Sequence, residues 1–269
     1  MNKNYIQMYF NETIVRNFAE HEQNEKNFRV AEIVDCIIMD TVCMLSGKDF
    51  HAAELGGGAH PDRYHQFFDW LITKQGTIDR VDISPYMLRL ANDYLHTPEL
   101  QKRLPYITFI EKDFFEYLDA LPDQSLDVVI MKYTIDHVQD VDLLMQALSM
   151  KVKHQGLFVA TVGVLDPKMV SMSTNARFLH NGQEFPEFET RTLEDGDTFT
   201  VKFFSVSGKP EFGYIPGAET TKYYHSPETY HASAKKYGFI SFLGNRKEHI
   251  KRIDTTKMLD QNVFIAKKR

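Results

Sequence analysis

Between residues 51 and 164 the chain alternates two kinds of hydrophobic pattern. Short segments at Ala52 to Leu55, Ile78 to Asp82, Ile107 to Ile110, Asp127 to Met131 and Leu157 to Val162 read as strands, and Asp127 to Met131 is apolar enough to be buried on both faces. Between them, apolar residues recur three and four positions apart. Tyr64, Phe67, Phe68, Leu71 and Ile72 define one face of a helix over 61–74. Ser84 to Leu95 predicts another, with Ser84 as its cap and Pro85 at the first helical position, and Leu143 to Lys151 a third. Strands spaced by helices imply right-handed crossovers and a parallel sheet. Such sheets bind ligands beyond the carboxyl ends of their strands.

The flanks follow other patterns. Residues 1 to 46 read as helical, with Tyr5, Met8 and Tyr9 on one short apolar face and Phe28, Val30, Ile33, Val34, Ile37, Ile38, Val42 and Leu45 on a longer one. After residue 164 the alternation breaks. Residues 165 to 222 mix turn residues with aromatics, among them Phe178, Phe185, Phe188, Phe199 and Phe212, and only Thr198 to Val206 alternates well enough to be a strand, with Ser207 to Pro210 as its turn. Regular patterning returns in a capped helix from Ser226 to Gly238 and in strands at Phe239 to Leu243 and Asn262 to Lys267. The organisation expected is a helical cover at 1–49, a core at 50–164 and 223–269, and an inserted cap at 165–222 over the carboxyl edge of the sheet.

Between the first strand and its helix lies Glu54-Leu55-Gly56-Gly57-Gly58-Ala59-His60-Pro61. Three residues without side chains let the backbone bend sharply and let a ligand lie against it. A helix start behind such a turn offers unpaired N–H groups and a positive dipole end. A lone glycine cluster is weak evidence, because a tight turn needs the same residues.

Composition narrows the partners. The 269 residues suffice for one large α/β domain, and a formal charge of −6 with acids and bases interspersed argues against a nucleic-acid backbone. A small molecule or another protein fits better. Cys36 and Cys43, seven apart, predict reduced thiols packed on one side of a helix and give no disulfide or metal pattern. Neither a signal peptide nor a membrane-spanning run is visible, so no membrane is expected and the expected location is the cytoplasm.

Several separate stretches then agree in order. Glu54 to Gly58, Val81-Asp82-Ile83-Ser84-Pro85-Tyr86-Met87-Leu88, Lys112-Asp113-Phe114, Asp127 to Val138 and His154 to Val159 resemble the motifs of class I S-adenosylmethionine-dependent methyltransferases. The resemblance covers roughly residues 50 to 164, and more weakly 223 to 269. It implies an α/β fold: a seven-stranded, mostly parallel Rossmann-like sheet with helices on both faces and an inserted cap after the fifth strand. It also implies S-adenosylmethionine as cofactor and methyl transfer to an O or N atom of a small molecule, with the aromatics of 165–222 suited to a planar or apolar one. By the same resemblance Gly56, Gly57 and Gly58 receive the methionine portion, and Glu54 supports the turn or the cofactor's ammonium. Asp82 accepts the ribose hydroxyls, as a carboxylate with two acceptor oxygens can. Ile83 and Met87 pack on the adenine, Asp113 and Phe114 hold its amino group and edge, and Lys132 and Tyr133 line the methyl-transfer end.

His137 is expected to line the cofactor, and His137 or His225 to serve as base where the acceptor carries a proton. His60 departs from the family, which has a third glycine there. That departure keeps open a silent cofactor-binding protein of the same fold. A nicotinamide-dependent dehydrogenase is the other alternative, but a G-x-G-x-x-G reading from Gly56 puts Pro61 at the last glycine.

Overall fold

The structure is a computed structural model that describes residues 8–22, 35–43, 45–60, 65–163, 176–184, 193–204, 214–244 and 261–269. The expectations for Tyr5, Phe28, Val30, Ile33, Val34, Pro61 to Tyr64, Phe185, Phe188, Phe212 and the turn at Ser207 to Pro210 lie outside those residues.

In chain order the core elements are α1 (Glu12–Glu22), a helical stretch α2 over 35–42, β1 (His51–Leu55), α3 (His65–Thr73), β2 (Thr77–Asp82), α4 (Pro85–Leu95) and β3 (Ile107–Glu111). They continue with α5 (Phe114–Ala120), β4 (Leu126–Met131), α6 (Val141–Lys151) and β5 (Val152–Gly163). Then come β6 (Ala176–His180), β7 (Gln183–Glu184), β8 (Thr198–Phe204), β9 (Tyr214–Tyr223), α7 (Pro227–Lys236), β10 (Phe239–Gly244) and β11 (Gln261–Lys268). Seven strands form one sheet in the order β10-β11-β5-β4-β1-β2-β3. Strands β1 to β5 pair in parallel, and β11 runs antiparallel to both β5 and β10. This is the expected α/β sheet.

Alternate residues of each strand face opposite sides, and both sides are apolar. Ala52, Ile78, Val128, Ile130 and Val159 pack with Ile37, Ile38 and Val42 of α2 and Phe67, Phe68 and Leu71 of α3. Ala53, Leu55, Val81, Val129 and Met131 pack with Leu118 of α5, Leu144 and Leu148 of α6 and Tyr230 of α7. The caps read from sequence form as expected: Ser84 Oγ accepts the Met87 amide at 3.2 Å, and Ser226 Oγ that of Thr229 at 3.3 Å.

Two expectations need correction. Cys36 is half-buried, but Cys43 is exposed and so is not a packed thiol. The region after β5 holds a four-stranded antiparallel sheet, order β7-β6-β8-β9, where the sequence suggested one strand. Its strands pair antiparallel, and short strands such as Gln183–Glu184 leave no visible period.

One polar contact fixes the helix nearest the glycine turn. Asp35, on α2, is only 3% exposed, and its two carboxylate oxygens accept the amides of Gln66 at 3.1 Å and Phe67 at 3.3 Å in the first described turn of α3. Burial pushes its pKa up to about 6, against the pull of those amides and of the Lys132 and Arg103 charges. An acid with a raised folded-state pKa binds more protons folded than unfolded between the two values. Its favourable contribution is therefore complete below the unfolded value near 4 and lost as pH rises through about 6. With a shift of roughly 2 units, the change is on the order of 3 kcal/mol. Thermal melts across pH should show the native protein losing stability relative to Asp35→Asn between about pH 4 and 6; parallel melting curves would contradict the assignment.

Candidate functional site

The site grows from the end of β1. Gly56 and Gly58 have φ of +74° and +59°, a region costly for residues with side chains. Space makes the requirement at Gly56 stricter, because a Cβ there would lie 2.3 Å from Thr134 Oγ1. At Gly58 a Cβ would meet nothing within 4 Å, so the turn is packed on one side and open on the other. The amides of Gly56 and Gly57 both donate to the Val81 carbonyl, at 2.8 and 3.0 Å, which pins the turn to the end of β2.

Beneath the turn is a buried ion pair. The parallel register of β1 and β2 sets Glu54 opposite Arg80, the first 2% and the second 0% exposed, and their charged groups are in direct contact. The Arg80 guanidinium also donates to the Gly57 carbonyl, and to that of Gly58 at 3.3 Å. Of the two roles implied for Glu54, this geometry serves turn support. Arg80 was missed from sequence. The signal available was a lone cation inside one strand facing a lone acid inside its neighbour.

Asp82 closes β2. Its Oδ1 accepts the Ser84 amide at 2.8 Å and its Oδ2 the Gly58 amide at 2.9 Å, while the residue stays half-buried. Burial pushes the carboxyl up; the Ser84 and Gly58 amides and Arg80 oppose this, and the Glu54 charge adds to it. Asp113 caps α5, its Oδ1 accepting the Phe115 amide at 2.8 Å. Asp113, Ile83 and His137 line a common cleft of about 830 Å³ that runs on between α5 and α6 and also touches Phe115 and Tyr223. Phe114 is half-buried and packs against the core beside Phe115, with ring centroids 4.7 Å apart. Met87 lies elsewhere. It is 2% exposed and sits with Met8, Val15, Phe18 and Ala59 beneath α1.

After β4 the chain turns at Tyr133, whose φ is +56° and whose amide donates to Thr161 Oγ1 at 2.6 Å. Lys132 Nζ stands 5.6 Å from the Tyr133 ring centroid. Thr134 Oγ1 reaches the Gly56 carbonyl at 3.3 Å, joining this turn to the glycine turn. A short helical turn, Ile135–His137, follows. Burial lowers the His137 pKa to about 4; Asp136 opposes the shift, Lys222 adds to it, and a hydrogen bond with the Thr221 backbone opposes it. His225 is 7% exposed, with Nε2 at 3.0 Å from the Val138 carbonyl and its ring against Tyr230. Both histidines are thus brought to the same turn.

Two further segments meet there. Strand β9 of the second sheet is tied on by Lys222, whose Nζ lies 2.5 Å from Asp136 Oδ2. From the other side, the Tyr9 carbonyl accepts from Ser84 Oγ at 2.5 Å, and its ring stands edge-on to His137 at 6.3 Å. His60 does not face the cleft: its Nε2 lies 2.9 Å from the Ala19 carbonyl of α1, and its ring lies against Tyr94. Among the described residues no cluster of His, Cys, Asp or Glu could hold a metal ion, and no helix is long and apolar enough to cross a membrane.

Residues 59–160 match the family described as the methyltransferase domain, a match that begins just after Gly58 and spans Asp82, Asp113 and the turn after β4. No curated protein sequence matches. Three solved structures share the fold. One is an S-adenosylmethionine-dependent methyltransferase from Mesorhizobium loti, with 15% identity, a TM-score of 0.50, and coverage of 87% of this chain and 98% of that one. Another is phosphoethanolamine N-methyltransferase 2 from Haemonchus contortus with phosphomonomethylethanolamine and S-adenosylhomocysteine, at 16%, 0.57, 98% and 58%. The third is the CurJ carbon methyltransferase, at 13%, 0.59, 98% and 61%. The chain spans about three fifths of the latter two. Taken with the sheet order and the glycine turn, the family match means that the chain carries a class I S-adenosylmethionine-dependent methyltransferase domain.

Proposed function

We propose that this domain transfers the methyl group to an oxygen or nitrogen atom of a small molecule by in-line displacement. The observation that supports a small acceptor is the pair of covers. Strand β9, held by the Lys222–Asp136 ion pair, and the Tyr9 segment, held on Ser84, come down beside His137 at the carboxyl ends of β1 and β4. In this reading 1–49 covers the site, 50–164 and 223–269 hold the cofactor, and 165–222 covers the substrate, with Tyr223 closing β9 at the boundary.

The cofactor supplies a methyl group already activated by its sulfonium, so the protein's task is alignment and exclusion of water. Proximity and orientation can contribute roughly 7 to 11 kcal/mol to such a step. The open side of Gly58 suits the methionine portion, and Asp82, its carboxylate fixed by two amides, suits the ribose hydroxyls. Ile83 and Asp113 are placed along the cleft where an adenine would lie, with Phe114 behind them. Met87 packs under α1, apart from that cleft. Lys132 and Tyr133 shape the turn at the methyl-transfer end.

A histidine with a pKa of about 4 is neutral at working pH and a weak base. In this reading His137 is a group that orients the acceptor through hydrogen bonding rather than one that removes its proton. His225, engaged with Val138, fits a positioning role behind it. The silent-protein alternative rested on His60, whose ring is occupied in holding α1.

Two outcomes test this. Asp82→Ala should weaken calorimetric binding of S-adenosylhomocysteine at least about 10-fold, since a hydrogen bond to a charged group is worth roughly 1.5–3 kcal/mol; unchanged affinity would exclude the ribose role. With an acceptor that does not itself titrate, kcat/KM should stay flat from about pH 6 to 8, because His137 is neutral throughout. An acid limb near the ordinary histidine value that vanishes in His137→Asn would reverse that assignment.

A further inference from the structure

A single peptide unit connects the buried ion pair to the carboxylate assigned to ribose. The amide joining Gly57 to Gly58 is trans and planar, so its C=O and N–H point in opposite directions. Its carbonyl is held by the Arg80 guanidinium, and its N–H donates to Asp82 Oδ2 at 2.9 Å. The second oxygen of Asp82 is fixed by the Ser84 amide at 2.8 Å. Rotating the Gly57–Gly58 peptide would break both of its contacts together. Glycine at 57 makes the arrangement fit, since a Cβ there would approach Arg80 Nη2 to 3.3 Å.

We propose that Arg80 is a positioning residue for cofactor recognition, setting the Asp82 carboxylate on the ribose hydroxyls through the Gly57–Gly58 peptide, with Glu54 as the counter-charge that allows a guanidinium to be buried there. The proposal rests on the ribose assignment of Asp82. Glu54 serves Arg80 through direct contact and has 2% exposure, so its charge is spent inside the protein rather than on a ligand. A buried guanidinium can donate in several directions at once. Here those directions are the acid on β1 and two carbonyls of the turn, which is why one side chain can fix both the path of the turn and the plane of its central peptide.

A structural role alone would alter stability without altering which part of the ligand is recognised. The informative quantity is the preference for ribose hydroxyls: the ratio of calorimetric Kd values for 2′,3′-dideoxy-S-adenosylhomocysteine and S-adenosylhomocysteine. In the native protein this ratio should exceed about 10. In the Glu54→Met, Arg80→Met double variant, which removes both charges so that neither is left buried alone, it should fall below about 3, while Arg80→Lys, which keeps a charge but not the fork, should lie between. If the double variant does not melt cooperatively, the Arg80→Lys ratio decides in its place. A native ratio near 1 would overturn the ribose assignment of Asp82 and this proposal with it. A native preference retained in full by a folded variant with lowered melting temperature would overturn the role of Arg80 and leave Asp82 standing.

Discussion

The Glu54–Arg80 pair is the constraint from which the rest of the site follows. Burying two opposite charges costs several kcal/mol per ion in lost hydration, and the pair offsets this only when the remaining donors find partners. A fully buried guanidinium beside one carboxylate still has N–H groups to satisfy. The carbonyls of Gly57 and Gly58 supply acceptors for Nη2, in a turn where Gly56 and Gly58 adopt positive φ. The ion pair and the turn therefore require one another. Strand register makes the pairing unavoidable, because Glu54 and Arg80 are direct neighbours across β1 and β2, and a slip of one residue would send each side chain to the opposite face of the sheet.

Around that turn the covers are hung. His60, two residues past Gly58, engages the Ala19 carbonyl and so attaches α1 to the turn. Ser84, two residues past Asp82, caps α4 and at the same time donates to the Tyr9 carbonyl. Helix α1 in turn meets the inserted sheet: Phe18 packs on Phe203 with centroids 4.7 Å apart, and Ile14 occupies the space where a Cβ of Gly217 would stand, 2.6 Å from its Cδ1. Residues distant in sequence thus converge on one end of the sheet through contacts each a few ångströms long. The position where the family has a glycine is used here to tether a helix.

How much of this was legible depended on whether a residue's role was local. The sheet was readable because a strand buried on both faces, such as β4, advertises itself by an apolar run, here Val128 to Met131, and because Ser84-Pro85 states a helix start within two residues. Asp82 and Asp113 could be singled out from their places at strand ends. Arg80 and Lys222 could not, since each acts through a partner that only strand register or chain return brings near. Met87 shows how tertiary packing adds a partner that the sequence does not display. Its spacing from Asp82 suits a ligand wall, but helix α4 turns it toward α1, where the N-terminal apolar residues give it a drier place. The inserted sheet hid for a further reason: with strands as short as Gln183–Glu184, the period of two is too brief to stand out among turn residues.

The inserted sheet also bears on the turn after β4. At the turn after β4 the dominant influence on His137 is burial, which drives its pKa down to about 4, and the element that hydrogen-bonds to the ring and brings Lys222 beside it is β9. Asp136 alone would favour an imidazolium. Once Lys222 pairs with Asp136, the nearby charges largely cancel and desolvation decides the outcome. The protonation state of His137 is therefore a consequence of the fold of residues far along the chain. The turn after β4 thus holds a neutral imidazole across the physiological range, in a place that a strand of the second sheet helps to enclose.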